Sequence, residues 1–300
     1  MTTEYGSRAE AAARTATVSR WLPFSCVDGP GNRLVLFLQG CNFRCPGCHN
    51  PHTMGLCDHC GDCVPACPSG ALTLVEDRVR WQAALCTDCD RCIDDCPRHA
   101  SPKTSQMSVA EVLALLRRYG PLLTGITVSG GEATTQLPFV IALFTAIKAA
   151  PDLAHLSCLL DSNGSLAEIG WQRLLPVLDG AMLDLKGWRD SVHHMLTGHG
   201  RERVLASLQL LASHGKLAEL RLLHVPGRSD FLDADGKLEA GLASFLQSLG
   251  PVPIRLNGFR HHGVRGVATS WQEADREALT RLAAALRERG LGPVFLPAIC

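Results

Sequence analysis

Eleven of the fourteen cysteines in this 300-residue chain lie between Cys41 and Cys96, and this concentration restricts its fold more than any other feature. Chains that depend on disulfide bonds are small and secreted, because they cannot build a sufficient core. This chain is long enough to bury a large core. We therefore expect its clustered cysteines to bind metal or iron–sulfur centres.

The first group, Cys41, Cys45 and Cys48, follows the apolar run at residues 34–38. Three thiolates supply three of the four ligands of a four-iron cluster and leave one iron open. A zinc site would need a fourth ligand, and His49 is poorly placed for that role because it adjoins Cys48. A disulfide would leave one cysteine over. The spacing therefore predicts a cluster with one open coordination position.

The other eight cysteines form one run twice, each ending in Cys-Pro. This is the bacterial ferredoxin pattern, in which the fourth cysteine of each run ligates the other run's cluster. One predicted cluster is therefore held by Cys57, Cys60, Cys63 and Cys96, and the second by Cys67, Cys86, Cys89 and Cys92. Paired C-x-x-C units also bind zinc, but the third cysteine and the trailing Cys-Pro exceed what zinc needs.

Charge and hydropathy exclude several classes of function. With 29 basic and 29 acidic residues the formal net charge is zero, which argues against a broad surface for nucleic acid. Residues 1–20 have no apolar stretch of the kind found in signal peptides, and no run is long enough to span a membrane. We expect a cytoplasmic monomer with neither a nucleic-acid nor a membrane partner.

Short apolar runs alternate with helical patterns along most of the chain, which predicts about six βα units. The predicted strands are residues 33–38, 126–128, 156–160, 181–185, 220–225 and 253–256. A helix capped by Ser108 precedes the predicted helices 139–149, 171–178, 204–214, 238–249 and 273–289. We therefore predict an α/β fold, a partial (β/α)6 parallel barrel formed by residues 1–54 and 104–300. Residues 55–103 would form an inserted ferredoxin-like domain, organised by its clusters because it is too small for a proper core.

In parallel barrels the functional residues gather at the carboxyl ends of the strands. The three-cysteine loop and the motif Ser129-Gly130-Gly131-Glu132 follow the first two strands, Asp161 follows the third, and Asp184 and Lys186 close the fourth. Three of these features have a simpler alternative. The Gly-Gly-Glu motif could be a turn with a helix-capping acid, Asp161 an Asx-turn residue, and Asp184 a partner for Lys186.

Taken in order, these motifs resemble the radical S-adenosylmethionine (SAM) enzymes, and within them the activating enzymes of glycyl radical enzymes. The resemblance covers nearly the whole chain. The stretch at residues 22–29 is most similar to the YjjW-type subgroup. The matching segments are residues 28–31, 48–51, 129–132, 161–164, 182–186 and 221–227.

The resemblance implies an oxidoreductase in which Cys41, Cys45 and Cys48 hold a [4Fe-4S] cluster whose open iron binds SAM. Reductive cleavage of SAM would give methionine and a 5′-deoxyadenosyl radical, which takes hydrogen from a backbone glycine of a partner enzyme. The family pattern implies cofactor contacts from Ser129, Gly130, Gly131, Glu132, Asp161, Asp184 and Arg221.

Further expectations concern the partner and the source of electrons. The resemblance also implies that Asp161 and Asp184 form a monovalent cation site, and Lys186 would bind the cofactor or the incoming peptide. Arg221 could equally form a surface ion pair. Asp28 and Gly29 match positions near the partner's glycine loop, although Asp28 could be an ordinary turn residue. The two clusters of the insert would carry electrons from a flavodoxin or ferredoxin. The alternative is that the insert has a purely structural role or docks the partner.

Two rival functions stay open at the level of sequence: an iron–sulfur electron carrier, and a radical SAM enzyme that acts on a small molecule. The sequence assigns no role to six residues that stand out by type or position, namely Cys26, Cys158, Arg260, His261, His262 and Cys300.

Overall fold

A computed structural model describes residues 12–297, which divide into two compact units. The first unit contains residues 12–42 and 50–157, and the second contains residues 43–49 and 158–297. The predicted insert at residues 55–103 lies within the first unit. Cys300 lies outside the described residues.

The first unit contains six strands and three α-helices. The strands are β1 (Thr15–Ser25), β2 (Arg33–Leu38), β3 (Leu72–Val75), β4 (Arg78–Trp81), β5 (Ser105–Ser108) and β6 (Gly125–Gly130). The helices are α1 (Arg91–Asp94), α2 (Val109–Tyr119) and α3 (Leu137–Ala149). The strand order is β5-β1-β2-β6, in which β2 and β6 are parallel and β1 is antiparallel to both of its neighbours. Strands β3 and β4 form a separate antiparallel pair.

The predicted cap of α2 is present. The Ser108 hydroxyl accepts a hydrogen bond from the Glu111 amide at 3.2 Å, and the Glu111 carboxylate accepts one from the Ser108 amide at 2.7 Å. This reciprocal arrangement satisfies two amides that the helix itself leaves without partners. It fixes the start of the helix that follows the cysteine-rich segment.

Arg33, the first residue of β2, is almost completely buried. Its guanidinium donates to the Thr127 hydroxyl at 2.7 Å, and to the hydroxyl and carbonyl oxygens of Ser157 at 2.9 and 2.8 Å. It also donates to the carbonyl oxygens of Ile126 and Pro30 at 2.6 and 3.2 Å. A buried charge is tolerated only when it is hydrogen-bonded, and here one side chain ties a loop and two strand starts together.

The second unit is built on parallel strands that adjoin in chain order. They are β7 (Ser157–Ser162), β8 (Gly180–Leu185), β9 (Leu217–His224), β10 (Ile254–Gly258) and β11 (Val294–Phe295). The helices are α4 (Glu168–Leu174), α5 (Asp190–Thr197), α6 (Glu202–Ser213), α7 (Ala240–Ser248) and α8 (Arg276–Glu288). Strand, helix and strand alternate from β7 onwards, as the apolar periodicity predicts.

The core of this unit positions the loop after β7. Trp171 of α4 is fully buried, and its indole N–H donates to the Ser207 hydroxyl of α6 at 2.7 Å. That hydroxyl donates in turn to the carbonyl of Gly164 at 2.7 Å. The loop that follows Asp161 is therefore held against two helices.

All six predicted parallel strands are present, with ends that differ by up to three residues. Seven elements were not predicted: β1, β3, β4, β5, β11, α1 and α5. Strand β5 has the sequence Ser-Gln-Met-Ser and carries almost no apolar signal, so only its pairing with β1 makes it a strand. The sheet of the first unit is therefore mixed rather than wholly parallel.

Within residues 12–297, no helix is long and apolar enough to cross a membrane.

We predict that Arg33→Ala lowers the thermal unfolding midpoint of the protein. The change leaves several buried acceptors without a donor, which costs on the order of 3 kcal/mol or more. A protein of this size loses about 2–4 °C of midpoint per kcal/mol. Calorimetry measures the shift against Arg14→Ala, because the Arg14 side chain is exposed. Equal midpoints for the two variants would contradict the role given to Arg33.

Candidate active site

Cys41 stands just beyond the carboxyl end of β2 in the first unit. Its amide donates to the Met54 carbonyl at 2.9 Å, and the Gly40 amide donates to the Thr53 carbonyl at 2.8 Å. The side-chain amide of Gln39 donates to the backbone carbonyls of His52 and Gly55, both at 2.7 Å. The start of the cysteine loop is therefore held by residues 52–55, which follow the loop in the chain.

The Ser129–Glu132 motif packs against this same backbone. The Gly131 amide donates to the Leu38 carbonyl at 3.0 Å, and the Glu132 amide donates to the Gly40 carbonyl at 2.8 Å. A Cβ atom on Gly131 would stand 2.4 Å from the Gly40 oxygen, and one on Gly130, whose φ is +133°, would stand 2.1 Å from the Leu38 oxygen. Both positions require glycine because two backbones meet here. The structure thus brings this motif beside Cys41.

The Glu132 carboxylate adopts the capping geometry that the sequence left open. It accepts hydrogen bonds from the Thr134 amide at 3.0 Å and the Thr134 hydroxyl at 2.6 Å, at the start of a short helical turn. The residue is 1% exposed. Glu132 therefore has a structural role, and its predicted cofactor contact stays a prediction.

In the second unit, residues 43–49 are held by aromatic packing. Phe43 stacks on His199 with ring centroids 4.9 Å apart and meets His193 edge to face at 6.0 Å. A Cβ atom on Gly47 would stand 3.0 Å from the Phe259 ring. The Cys48 amide donates to the Cys45 carbonyl at 3.2 Å, which forms the turn between these two cysteines.

Lys186 and Asp184 form an ion pair of 2.7 Å, and both charges affect the pKa of Cys45. Burial raises the pKa of the Cys45 thiol to about 11, against the lowering effect of the Lys186 ammonium. Burial also disfavours the charged form of Lys186, but Asp184 and the thiols of Cys45 and Cys48 outweigh it, so the pKa of Lys186 is raised. Lys186 therefore stays cationic beside the cysteines, as a ligand-binding role requires.

Arg221 forms the second charged centre. Its guanidinium donates to the Asp161 carboxylate at 3.0 Å, to the Glu219 carboxylate at 2.7 Å and to the Met182 sulfur at 3.1 Å. Burial opposes its charge, but Asp161, Asp184 and Glu219 together raise the pKa of Arg221. This is a largely buried network rather than the surface ion pair that the sequence left possible.

The two aspartates of the predicted cation site thus each have a cationic side chain beside them. Asp161 pairs with Arg221, and Asp184 pairs with Lys186. Asp161 lies within β7, and the Asn163 side chain beyond it accepts a hydrogen bond from the Ser165 amide at 2.9 Å. The monovalent cation site stays a prediction.

Glu219 and Arg255 are site residues that the sequence reasoning missed. Glu219 accepts hydrogen bonds from Arg221 at 2.7 Å and from Arg255 at 3.0 Å. The alternation of side chains along a strand could have revealed Glu219, because Glu219 and Arg221 are two residues apart in one strand and face the same side. Arg221 and Arg255 are register partners across β9 and β10.

Asp28 lies at the amino end of β2, whereas Cys41 follows the carboxyl end of that strand. Six residues of strand separate the two ends by about 20 Å. The Asp28 carboxylate accepts a hydrogen bond from the Ser25 hydroxyl at 2.6 Å, and its carbonyl accepts one from Thr127 at 2.7 Å. This is turn geometry, and the contact of Asp28 and Gly29 with a partner stays a prediction.

Two cavities lie in the cysteine-rich segment of the first unit, and each is lined by four cysteines of one predicted ligand set. The walls of the first include Cys57, Cys60, Cys63 and Cys96. The walls of the second include Cys67, Cys86, Cys89 and Cys92. Cys92 also reaches the first cavity. The assignment of these cysteines to two clusters, with the fourth cysteine exchanged between the runs, stays a prediction.

Burial raises the pKa of one thiol in the ligand set of each predicted cluster. Burial, followed by the neighbouring thiols of Cys57 and Cys60, raises the pKa of Cys63 to about 11. Burial likewise raises the pKa of Cys92 to about 11, against the opposing effect of Lys103. Because iron binds thiolates, cluster assembly at these positions must release protons.

Several conspicuous residues have ordinary contacts. The Arg260 guanidinium donates to the Ala274 carbonyl, and the His261 ring contacts the Trp271 carbonyl at 2.7 Å. Burial and the neighbouring His262 lower the pKa of His49. Cys26 is exposed and Cys158 is buried.

Comparisons with known proteins agree with this arrangement. The sequence profile of the radical SAM superfamily matches residues 35–231. The chain is 31% identical over 300 residues to the benzylsuccinate synthase activating enzyme of Thauera aromatica, covering 89% of this chain and 88% of that protein. It is 31% identical over 218 residues to the pyruvate formate-lyase-activating enzyme of Streptococcus mutans, covering 72% of this chain and 68% of that protein.

Among solved structures, QueE from Escherichia coli superposes with a TM-score of 0.55 at 14% identity, over 98% of this chain and 99% of that chain. This likeness shows a shared α/β radical SAM fold with a parallel sheet. Radical SAM enzymes bind SAM and a [4Fe-4S] cluster, and the three-cysteine loop lies within the matched residues. The chain therefore belongs to the radical SAM superfamily and, within it, to the activating enzymes of glycyl radical enzymes.

Proposed function

We propose that this activating enzyme holds its SAM-binding cluster through Cys41, Cys45 and Cys48 and acts on a glycine of a partner glycyl radical enzyme. The observation that carries the proposal is the hydrogen bonding of the Ser129–Glu132 backbone to Leu38 and Gly40, directly beside Cys41. The relatives support the class of partner, because their names pair them with pyruvate formate-lyase and benzylsuccinate synthase.

When bound, the cluster supplies the electron that cleaves SAM to methionine and a 5′-deoxyadenosyl radical, which takes a hydrogen atom from the partner's glycine. The protein's own task is to bind and orient SAM. Ser129, Gly130 and Gly131 offer backbone and hydroxyl groups beside Cys41, and the glycines leave room at the backbone. Among the cationic side chains, Lys186 and Arg221 are suited to the SAM carboxylate because they stay charged in a buried setting.

Asp161 and Asp184 would control those two cations. Each carboxylate is bonded to one cationic side chain, which limits the conformations that the long lysine and arginine side chains can adopt. A ligand carboxylate can share the ammonium of Lys186 with Asp184 without losing its charge-assisted hydrogen bond. The proposed monovalent cation would place a further positive charge beside the same two aspartates.

We further infer that the six βα units form a partial barrel and that residues 55–103 form a ferredoxin-like insert with two [4Fe-4S] clusters. The two four-cysteine cavities support this inference, because each offers the donor set that one such cluster requires. Three clusters per chain then provide a route for electrons from a flavodoxin or ferredoxin. A cytoplasmic, monomeric enzyme remains our prediction.

The direct test is anaerobic incubation of the iron-loaded protein with SAM, a reductant and a candidate glycyl radical enzyme. Electron paramagnetic resonance (EPR) should detect a glycine-centred radical on the partner. Cleavage of SAM without a radical on any glycyl radical enzyme would instead favour a small-molecule substrate. Failure to cleave SAM would favour the rival function of an electron carrier.

We predict that Cys45→Ala removes about four iron atoms per chain and abolishes the release of 5′-deoxyadenosine. Two thiolates cannot retain the cluster that binds SAM. Iron analysis and chromatography of the products measure the two effects. Cys26→Ala is the matched control, because Cys26 is exposed and lies outside every ligand motif, and it should behave as the unmodified protein.

Lys186→Met should lower the rate of SAM cleavage by about tenfold or more at subsaturating SAM while leaving the iron content unchanged. Methionine keeps much of the length of the side chain but removes a charged donor, and such hydrogen bonds contribute about 1.5–3 kcal/mol. Single-turnover assays measure the rate. Lys237→Met, in an exposed loop, serves as the control. An unchanged rate in Lys186→Met would remove this residue from the site.

Cys60→Ala and Cys89→Ala should each slow SAM cleavage when reduced flavodoxin is the donor. Each change removes one ligand of one proposed cluster in the insert and so interrupts the electron route. Dithionite, a small reductant that can reach the SAM-binding cluster directly, should restore cleavage in both variants. Undiminished turnover with flavodoxin would refute the role of the insert as an electron conduit.

A further inference from the structure

Trp81, the last residue of β4, lines the cavity whose walls include Cys67, Cys86, Cys89 and Cys92. Its indole nitrogen is buried. Among the side-chain atoms of residues 12–297, it is one of the few buried polar atoms that have no hydrogen-bond partner. An indole N–H can only donate, so it requires an acceptor.

A buried donor without a partner destabilises the folded protein, and native proteins seldom retain one. Trp81 is held in place. It is the register partner of Leu72 in β3, and it packs against a cluster that includes Val79, Cys92 and Ile93. The four cysteines in the walls of this cavity point to the missing acceptor, because a bound cluster brings electron-rich sulfur into the same space.

We propose that the Trp81 indole N–H donates a hydrogen bond to a sulfur atom of the cluster held by Cys67, Cys86, Cys89 and Cys92, and thereby raises its reduction potential. The inference rests on the proposed two-cluster insert. Reduction adds negative charge to the cluster, and a donor aimed at its sulfur stabilises the reduced state more than the oxidised state.

The other charges around the two cavities balance each other. Near the first cavity, Arg98 contacts the Cys60 sulfur at 3.5 Å and pairs with the carboxylates of Asp58 and Asp62. Near the second, Lys103 pairs with two aspartates in the same way, at distances of 3.1 Å to Asp88 and 2.8 Å to Asp90. Each cation is compensated by two acids. The Arg98 side chain at the first cavity is 41% exposed, whereas the Trp81 N–H at the second cavity is buried.

The two cavities also differ in how closely the chain links them to Cys41. The first cavity is close to Cys41 along the chain. The Cys41 amide donates to the Met54 carbonyl, and Cys57 of the first cavity follows three residues after Met54. The second cavity has no such short link through the chain to Cys41. A hydrogen bond from Trp81 makes the second cluster easier to reduce than it would be without this donor, which suits a point where an electron enters from an external donor.

The test uses the full chain with Cys41, Cys45 and Cys48 changed to alanine, so that only the insert carries iron. After anaerobic reconstitution we expect about eight iron atoms per chain and two clusters that titrate separately. Trp81→Phe should move one midpoint to a more negative potential. A tenfold change in the reduction equilibrium corresponds to about 59 mV for one electron. Trp21→Phe, in β1, is the matched control and should move neither midpoint.

A second measurement requires no variant. Tryptophan labelled with ¹⁵N in the indole ring should give a nitrogen coupling to one reduced cluster in pulsed EPR, together with an exchangeable proton. Trp81→Phe should abolish both signals. Absence of the coupling in the labelled protein, or unchanged midpoints in a fully loaded Trp81→Phe protein, would overturn the hydrogen bond. An iron content that does not depend on Cys89 would instead refute the proposed second cluster.

Discussion

The contact between two stretches of backbone, Leu38–Gly40 and Gly130–Glu132, is the constraint on which the position of Cys41 and the glycine motif in the first unit depends. Two amide-to-carbonyl hydrogen bonds join them, and any side chain larger than hydrogen at residues 130 and 131 would collide with carbonyl oxygens. The parallel pairing of β2 with β6 brings the two strand ends level. Cys41 and the glycine motif thus become neighbours although about ninety residues separate them in the chain.

In the second unit, pairing of charges rather than backbone contact organises the polar side chains. Three acids and three bases occupy neighbouring positions on β7 to β10 and just beyond: Asp161, Asp184, Glu219, Lys186, Arg221 and Arg255. Because these groups are largely buried, each must be paired to remain charged. The pairing keeps Lys186 and Arg221 cationic, and both can therefore bind an anionic ligand group. The same balance applies around the cysteine cavities, where aspartates compensate Arg98 and Lys103.

Much of this arrangement was predictable, for identifiable reasons. Buried parallel strands have continuous apolar runs, so β2 and β6 to β10 were found from their sequences alone. Strands β1 and β5 were missed because their pairing depends on each other and on β2, which no local pattern records. The hydrogen-bond partners of Asp161 and Glu132 could not be predicted either, because the neighbouring sequence was compatible both with a cofactor contact and with a structural role.

The sequence by itself determined the family of this protein, because its cysteine spacing and the order of its motifs are typical of radical SAM enzymes. It also determined the order of the six parallel strands, because buried parallel strands have continuous apolar runs. Only the tertiary structure decided which charges pair with Lys186 and Arg221, that Glu219 and Arg255 join them, and that the Trp81 N–H is buried without an acceptor. Pairing and burial depend on residues far apart in the chain, and local sequence does not encode those distances.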